Sequence, residues 1–543
     1  MDLLTLSAGL LVCALLSGIY HRYTRISLAD VPGPKSLSFI FGHLRELYQS
    51  RVGTVEFKWQ DLYGGVIHLK GIIGEDALLI SDAKALQYIY QTSGYNFLKQ
   101  PERRIVSRLM TGHGLLWADG EDHRRQRKVM LPGFGGPESK ALLSVFKACA
   151  ESLTARWTDL LDGADTQSVD LNIPAWLSRA TLDAIGEAAF DYKFGSVDDN
   201  NNQLAKTYSS CLSYIFGSPS SGSIFFQAFS KYFPKPMVDY LADHAPGPRF
   251  GRIREVNNVA TDLAKRLVEE KAETLLQGKG GRDLFSLLIK ANMAENAKTK
   301  LTEPEVFAQV CTILFAGHET TSNTLSFALW ELARDPKVQN KLREEIRATE
   351  LAVHGHGDSQ FTTADFNAMP YTTAFMKEVL RVHPVAYHSH RYATKDDVLP
   401  LSRPITTNSG KVIHEVPIPK GTRIVGSVVG YNRDKNIWGE DADVFDPERW
   451  LKPSDGKKGA SIGVYGNLMT FSGGIRSCIG WRFAVIECQA FLVELVGNFE
   501  FSLTDKSDKI RREACMVMLP TLEGELENGV QLPLRVSVAS RGE

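Results

Sequence analysis

Paired cysteines, sugar-acceptor triplets and an excess of either charge are all missing from this 543-residue chain. Its seven cysteines stand apart at positions 13, 149, 211, 311, 478, 488 and 515, with no Cys-x-x-Cys pair. That spacing argues against a structural zinc site and against a disulfide framework, and without Cys-x-x-Cys-His it argues against covalent c-type haem. No Asn-x-Ser/Thr triplet occurs, which favours a body kept out of the secretory lumen. Lys and Arg number 62 against 63 Asp and Glu, a net charge of -1, so nothing points to nucleic acid. There is no long Pro/Ser tract, charge block or internal repeat. No linker therefore divides the chain, and one large α-rich domain is expected despite its length.

One long uncharged run is present: the eighteen residues Leu3 to Tyr20. As a helix it would span about 27 Å, close to the hydrocarbon core of a bilayer. His21, Arg22 and Arg25 follow it, and only Asp2 precedes it. The positive-inside rule then places the body on the cytosolic side. A cleaved signal peptide would need a basic leading segment and a small-x-small site, so an uncleaved anchor is expected. Val31-Pro32-Gly33-Pro34 comes next, and its two prolines stiffen the chain and forbid a helix. The expected division is anchor 3–20, proline-rich hinge 31–34 and catalytic body 35–543.

Within the body, Val66–Leu69 and Ala77–Ile80 are short apolar runs separated by glycines, a small sheet. Asp82 can cap a helix through Tyr90. Residues 96–116 read as loop. Helices dominate from Ala118 to about Leu351, residues 386–430 turn to β-like segments, and 515–519 and 532–536 have strand character. The fold class is mainly α with small β-sheets.

The densest signal is Phe471-Ser472-Gly473-Gly474-Ile475-Arg476-Ser477-Cys478-Ile479-Gly480. One cysteine sits in a glycine-rich bend, with a helix expected from Gly480 onward. A helix N-terminus and nearby positive charge both favour thiolate. Gly473, Gly474 and Gly480 allow backbone angles and approaches that side chains block. A second signal is Thr302-Glu303-Pro304-Glu305, a capping-box start for a helix running to Arg334. Its apolar middle is interrupted by Ala316-Gly317-His318-Glu319-Thr320-Thr321. Ala316, Gly317 and Thr320 share one face, and a hydroxyl there can bond backbone carbonyls and locally open the helix.

The cysteine loop resembles that of the cytochrome P-450 (haem-thiolate monooxygenase) family, Phe-x-x-Gly-x-Arg-x-Cys-x-Gly, at all five fixed positions: Phe471, Gly474, Arg476, Cys478 and Gly480. The long helix is similar to the family's Ala/Gly-Gly-x-Asp/Glu-Thr-Thr/Ser motif. The resemblance covers about residues 30 to 540 and implies the cytochrome P-450 fold. It implies haem b as cofactor, with Cys478 as axial iron ligand. Thiolate donation to haem iron favours O–O cleavage. Thr320 would steady bound oxygen by hydrogen bonding, Glu319 would deliver protons through water, and Ala316 would border the haem.

Further residues carry over in the same way. Glu378-Val379-Leu380-Arg381 resembles the family's buried Glu-x-x-Arg pair, with Arg449 of Pro447-Glu448-Arg449 as third partner. Arg476, Arg391 and the pair His123/Arg127 would hold the haem propionates, His123 standing where many members have Trp. Arg124, Arg125 and Lys128 form a basic stripe that could instead dock an acidic reductase. The resemblance leans to fungal microsomal members, since Trp450 replaces the commoner Phe. It implies an endoplasmic-reticulum membrane protein acting on O2 and a lipophilic substrate. Electrons would come from NADPH through a separate reductase, since no flavin-binding stretch follows the cysteine loop, with cytochrome b5 as an optional second donor. An apolar pocket is suggested by Val385, Ala386 and Val517, and an aromatic stretch over 208–250 offers a lipid-facing door. Hydroxylation of a terpenoid or other secondary metabolite is the expected task. A haem-thiolate isomerase or dehydratase, or a non-enzymatic haem sensor, is the alternative; neither needs the Glu319–Thr320 pair.

Overall fold

The computed structural model describes Val12 and residues 26–199, 202–209, 211–276, 283–294, 296, 298–355, 361–452 and 461–540. The expected anchor lies outside the described residues, Val12 apart. Among the described residues no helix is long and apolar enough to cross a membrane. The expected hinge is packed down: Val31 is buried, and Pro32 O accepts from His68 N at 2.9 Å.

The two glycine-separated apolar runs pair antiparallel as β1 (Val66–Lys70) and β2 (Asp76–Ile80), with Val66 opposite Ile80. Asp82 caps the following turn by accepting from Ala85 N at 2.9 Å. Three more strands complete a five-stranded sheet: β3 (Phe97–Lys99), β4 (His388–Ala393) and β5 (Arg423–Ser427), in the order β1-β2-β5-β4-β3. Only β2 and β5 run parallel. The β3–β4 register sets Lys99 directly opposite Arg391. At the far end, Pro533–Val538 pairs with both Phe499–Leu503 and Ser168–Asn172, tying the C-terminus to the middle of the chain.

Helices carry the rest. The expected loop over 96–116 is corrected: it holds β3 and a helix, α1 (Pro101–Thr111). The helix was masked because its inward face carries Glu102, Ser107 and Thr111, so no apolar period shows. Next come α2 (Gly120–Met130) and α3 (Ile173–Phe190). The long helix α4 runs Glu303–Arg334, with the expected capping box and Pro304 in its first turn. Most of its circumference is buried between Val306 and Ala333, as for a helix passing through a core. The expected opening near Gly317 does not occur: α4 is helical throughout. Gly317 serves packing instead, since a Cβ there would lie 2.7 Å from Ile185 of α3. α5 spans Pro370–Val382 and α6 spans Trp481–Asn498. The expected strand at 515–519 is shifted: Met518–Leu522 pairs with Ile510–Ala514, leaving Cys515–Val517 at the hairpin tip.

Candidate active site

The cysteine loop is built from the strand Leu468–Gly473 and the N-terminus of α6. Gly474 sits at φ 61°, and a Cβ there would fall 2.0 Å from Tyr90 O, so only glycine fits that bend. Gly473 is equally confined by Ile462 O, whereas a Cβ on Gly480 would meet only the Phe134 ring at 3.6 Å. Cys478 N donates to Phe471 O at 2.8 Å, closing the loop. The thiol is accessible although protein surrounds it, so it faces an interior space. Burial pushes its pKa up, while the Gly480 N–H and the Arg127 charge pull against that shift.

The same pattern of exposure marks α4. Ala316 is exposed, and Gly317 and Thr320 are half-buried, on a stretch of helix from Ala308 to Leu329 that is otherwise buried. Thr320 Oγ1 donates to Ala316 O at 2.8 Å without breaking the helix. Thr321 Oγ1 lies 3.0 Å from Gly317 O and 3.2 Å from Glu487 Oε2. That contact brings the middle of α4 to α6, six residues past the start of the helix that follows Cys478. Burial raises the Glu487 carboxyl well above its ordinary pKa. Glu319 points the other way. Its Oε1 accepts from Ser178 of α3 at 3.2 Å, and Oε2 lies 3.4 Å from Asn323 Nδ2.

A cluster of cations gathers between β3, β4, α2 and the cysteine loop. Arg476 pairs with Asp119 and lies over the Tyr95 ring at 4.6 Å. Arg391 lies over Tyr90 at 5.7 Å. The Nε atoms of both arginines are buried without a hydrogen-bond partner. Lys99 donates all three of its N–H groups to the carbonyls of Leu115, Leu116 and Ala118, at 3.1, 2.8 and 2.7 Å. Burial, reinforced by Arg391, lowers its pKa well below the ordinary value. Burial, followed by Lys99, Arg476 and Arg127, pushes the His123 imidazole down to about 3, so it stands neutral with Nδ1 2.8 Å from Tyr95 OH. Arg127 donates to Ser477 O at 2.8 Å and to Ser477 Oγ at 3.2 Å, holding the residue beside Cys478. The basic stripe is partly spent: Arg125 turns inward to Glu305, and Arg124 pairs with Glu121 at 2.7 Å.

Lys99, Arg127, Arg391 and Arg476 thus gather about a single buried carboxylate among the described residues, Asp119, with two orphaned N–H groups between them. An anionic group belongs there, and an accessible thiol faces interior space nearby. This donor set fits haem: a thiolate for iron, and Arg391 and Arg476 for carboxylate substituents.

Behind the loop, Glu378 and Arg381 are fully buried on α5. Glu378 accepts from Arg381 Nε and Nη2 at 2.8 and 2.7 Å, from Asp446 N at 2.8 Å and from Trp450 Nε1 at 2.9 Å. Arg449 Nε reaches it at 3.3 Å. Asn432 connects this cluster to the loop strand, accepting from Met469 N and donating to Thr470 Oγ1. Sequence reasoning passed over Lys99, Tyr95, Asp119 and Glu487. Only Glu487 had a visible signal, an acid within the apolar run of α6.

Comparison with known proteins agrees with this geometry. A family profile for cytochrome P450 matches residues 31–528. Cytochrome P450 monooxygenase 205 of Postia placenta is 33% identical over 522 residues, covering 94% of this chain and 92% of the relative. Cytochrome P450 monooxygenase claQ of Ampulloclitocybe clavipes is 34% identical over 520 residues, 93% of this chain and 92% of its own. Monooxygenase claP of the same fungus is 32% identical over 546 residues, 96% of each chain. With an accessible thiol in a glycine-bent loop, a cation cluster beside it and relatives matching over nearly the whole length, the chain belongs to the cytochrome P450 family and is a haem-thiolate monooxygenase.

Proposed function

We propose that this monooxygenase is held at the endoplasmic-reticulum membrane by Leu3–Tyr20, with its body in the cytosol. It inserts one oxygen atom of O2 into a lipophilic small molecule, with electrons from NADPH through a separate reductase and cytochrome b5 as an optional donor. Tailoring hydroxylation of a terpenoid or another secondary metabolite is the task this reading favours. The observation that carries it is a cavity of about 870 Å³ with mainly apolar walls, between α1, the 215–253 region and the hairpin tip at Ala514–Met516. Such a space suits a lipophilic molecule. Around its rim, Phe226, Phe233 and Leu241 are exposed, and Leu37, Phe39 and Ile40 are exposed on the N-terminal segment. Phe41 meets Phe225 edge-on at 6.3 Å, so the two apolar groups adjoin. An apolar rim of that kind supports a mouth opening toward lipid.

Bound through Cys478, haem supplies oxygen activation helped by thiolate donation. The chain's own residues do the rest. Arg391 and Arg476 orient the group through their free N–H donors, and Arg127 and Phe471 fix the loop that carries the sulfur. Thr320 holds a hydroxyl on an accessible stretch in the middle of α4 and would keep a proton available at its Oγ1. Glu319, one residue before it, is turned to Ser178 and would hold the acid proton of a relay through water. One oxygen atom entering the substrate and the other leaving as water requires two protons on this side. Co-expression with a fungal reductase and a panel of lipophilic compounds, read by mass, tests the reading. Oxygenated product that depends on NADPH and is lost in Cys478→Ala supports it. Product formed undiminished by Cys478→Ala refutes it, and a protein that stays soluble with residues 1–30 intact refutes the anchor.

A further inference from the structure

Helix α1 carries three arginines, and two of them are spoken for. Arg104 donates Nε to Trp117 O at 3.1 Å and lies 4.4 Å over that indole. Arg108 pairs with Asp243 at 2.9 Å and Asp239 at 3.5 Å. Arg103 differs. It lines the 870 Å³ cavity, and no ion pair to it is found among the described residues. Its neighbours are aromatic: it lies 5.3 Å over the Tyr48 ring and hydrogen-bonds the Tyr48 side chain, and beside it is Tyr387, whose hydroxyl is already donated to Cys515 O. The acid beside it, Glu102, lines the same wall; one of its oxygens pairs with Arg423 and the other has no hydrogen-bond partner among the described residues. Lys231, next in sequence to the lining residue Ser230, is held by Glu75. Arg249, the other cation in the wall, stands half-exposed at the rim and also borders an outer cleft, where water screens it.

Two guanidinium groups, Arg103 and Arg423, thus share one carboxylate, Glu102, and among the described residues Arg103 forms no ion pair of its own in this largely apolar space. Buried charges are ordinarily paired, because an unpaired one loses its hydration without return. Guanidinium presents a planar fork that matches a carboxylate with two parallel hydrogen bonds. A dianionic phosphate would leave one charge uncompensated there. We propose that Arg103 anchors an anionic head group, so that the substrate of this site is a lipophilic carboxylic acid. Its hydrocarbon body fills the cavity, and its carboxylate pairs with the guanidinium. The proposal rests on the reading of this cavity as the substrate site. It also sets which end of the substrate is held away from oxidation, since the anchored end stays at α1. If Arg103 served only to pack on Tyr48, its removal would not separate an acid from its ester.

The test is calorimetric titration of the full-length protein with a long-chain fatty acid, a diterpenoid acid and the methyl ester of each. Calorimetry reads binding whether or not haem is loaded. At least one acid is expected to bind wild type at least tenfold tighter than its ester. Arg103→Gln should bring that acid to the level of the ester, leaving ester affinity unchanged, and Arg103→Lys should retain part of the preference. Equal binding of acid and ester by wild type, or no binding of either acid, overturns the proposal without any variant having to fold. So does an equal loss for acid and ester in Arg103→Gln. Carbon monoxide added to the reduced protein separates the two readings. An absent thiolate-type absorption shift would sink the haem-thiolate reading; a normal shift with no acid preference sinks only this one.

Discussion

Replacing Glu378 by alanine should destabilise the fold by about 3–5 kcal/mol without touching the cavity. Arg381 is fully buried, and among the described residues Glu378 is its one ion-pair partner. Its other partners are the carbonyls of Asn432 at 3.0 Å, Ala442 at 2.5 Å and Val444 at 2.9 Å. Removing one member of a buried pair typically costs about 3–5 kcal/mol, because the other charge stays behind. The N–H groups of Asp446 and Trp450 lose their acceptor as well. Against a native stability of about 5–15 kcal/mol, the loss raises the unfolded fraction by roughly a hundredfold to several thousandfold. Chemical denaturation followed by circular dichroism measures it, and haem retained per mole of purified protein should fall in step. The decisive comparison is Glu378→Leu with Arg381→Met. Removing both charges together should recover part of the loss. If the double variant is less stable than Glu378→Ala, or if Glu378→Ala lies within about 1 kcal/mol of wild type, then an uncompensated cation is not the cost and the argument fails.

Three other outcomes are expected. Thr320→Ala removes a hydrogen bond to Ala316 O worth about 1 kcal/mol, so stability should barely change while product formed per NADPH consumed drops on the order of a hundredfold; unchanged coupling would remove Thr320 from the chemistry. Arg391→Gln should speed haem transfer to apomyoglobin by about ten- to a hundredfold, since a charge-assisted bond is worth about 1.5–3 kcal/mol; an unaltered transfer rate would count against the cradle. The third concerns acid. Burial would raise the Glu305 carboxyl, but the Arg125 guanidinium, the Thr302 N–H and Gln126 outweigh it and hold the pKa at about 2, below its ordinary 4.5. A depressed carboxylate contributes stability that is fully present above about 4.5 and lost as pH falls through about 2, here about 3 kcal/mol. Glu305→Gln should flatten that part of a stability–pH curve, and a curve as steep as wild type would contradict the pairing.

The most legible parts of this fold were those with long-range regularity or a dense motif. Helix α4 announced itself through its capping box and apolar length, and the cysteine loop through its fixed spacing. The stretch 97–111 was hidden for a physical reason. Three-residue β3 is too short to show a period, and α1 turns charged side chains inward because one of its faces borders a cavity rather than a core. Lys99 was invisible for a related reason. Its role comes from standing opposite Arg391 across a strand pair nearly three hundred positions apart in sequence, and local patterns carry no such register. Gly317 was legible as special but for the wrong cause, because only the fold shows Ile185 of α3 pressed against it.

The contact between Thr321 and Glu487 has a consequence for the haem pocket as a whole. A hydroxyl owns a single hydrogen, and Thr321 has two oxygens in reach: the Gly317 carbonyl and the Glu487 carboxyl. If that hydrogen stays with the helix carbonyl, the second bond needs a hydrogen from the acid, which burial keeps protonated. The carboxyl then works as a donor. A glutamine could replace it, and an ionised carboxylate could not. The helix that follows Cys478 and the helix that carries Thr320 are in this way latched together by one proton, out of reach of solvent and of ordinary changes in pH.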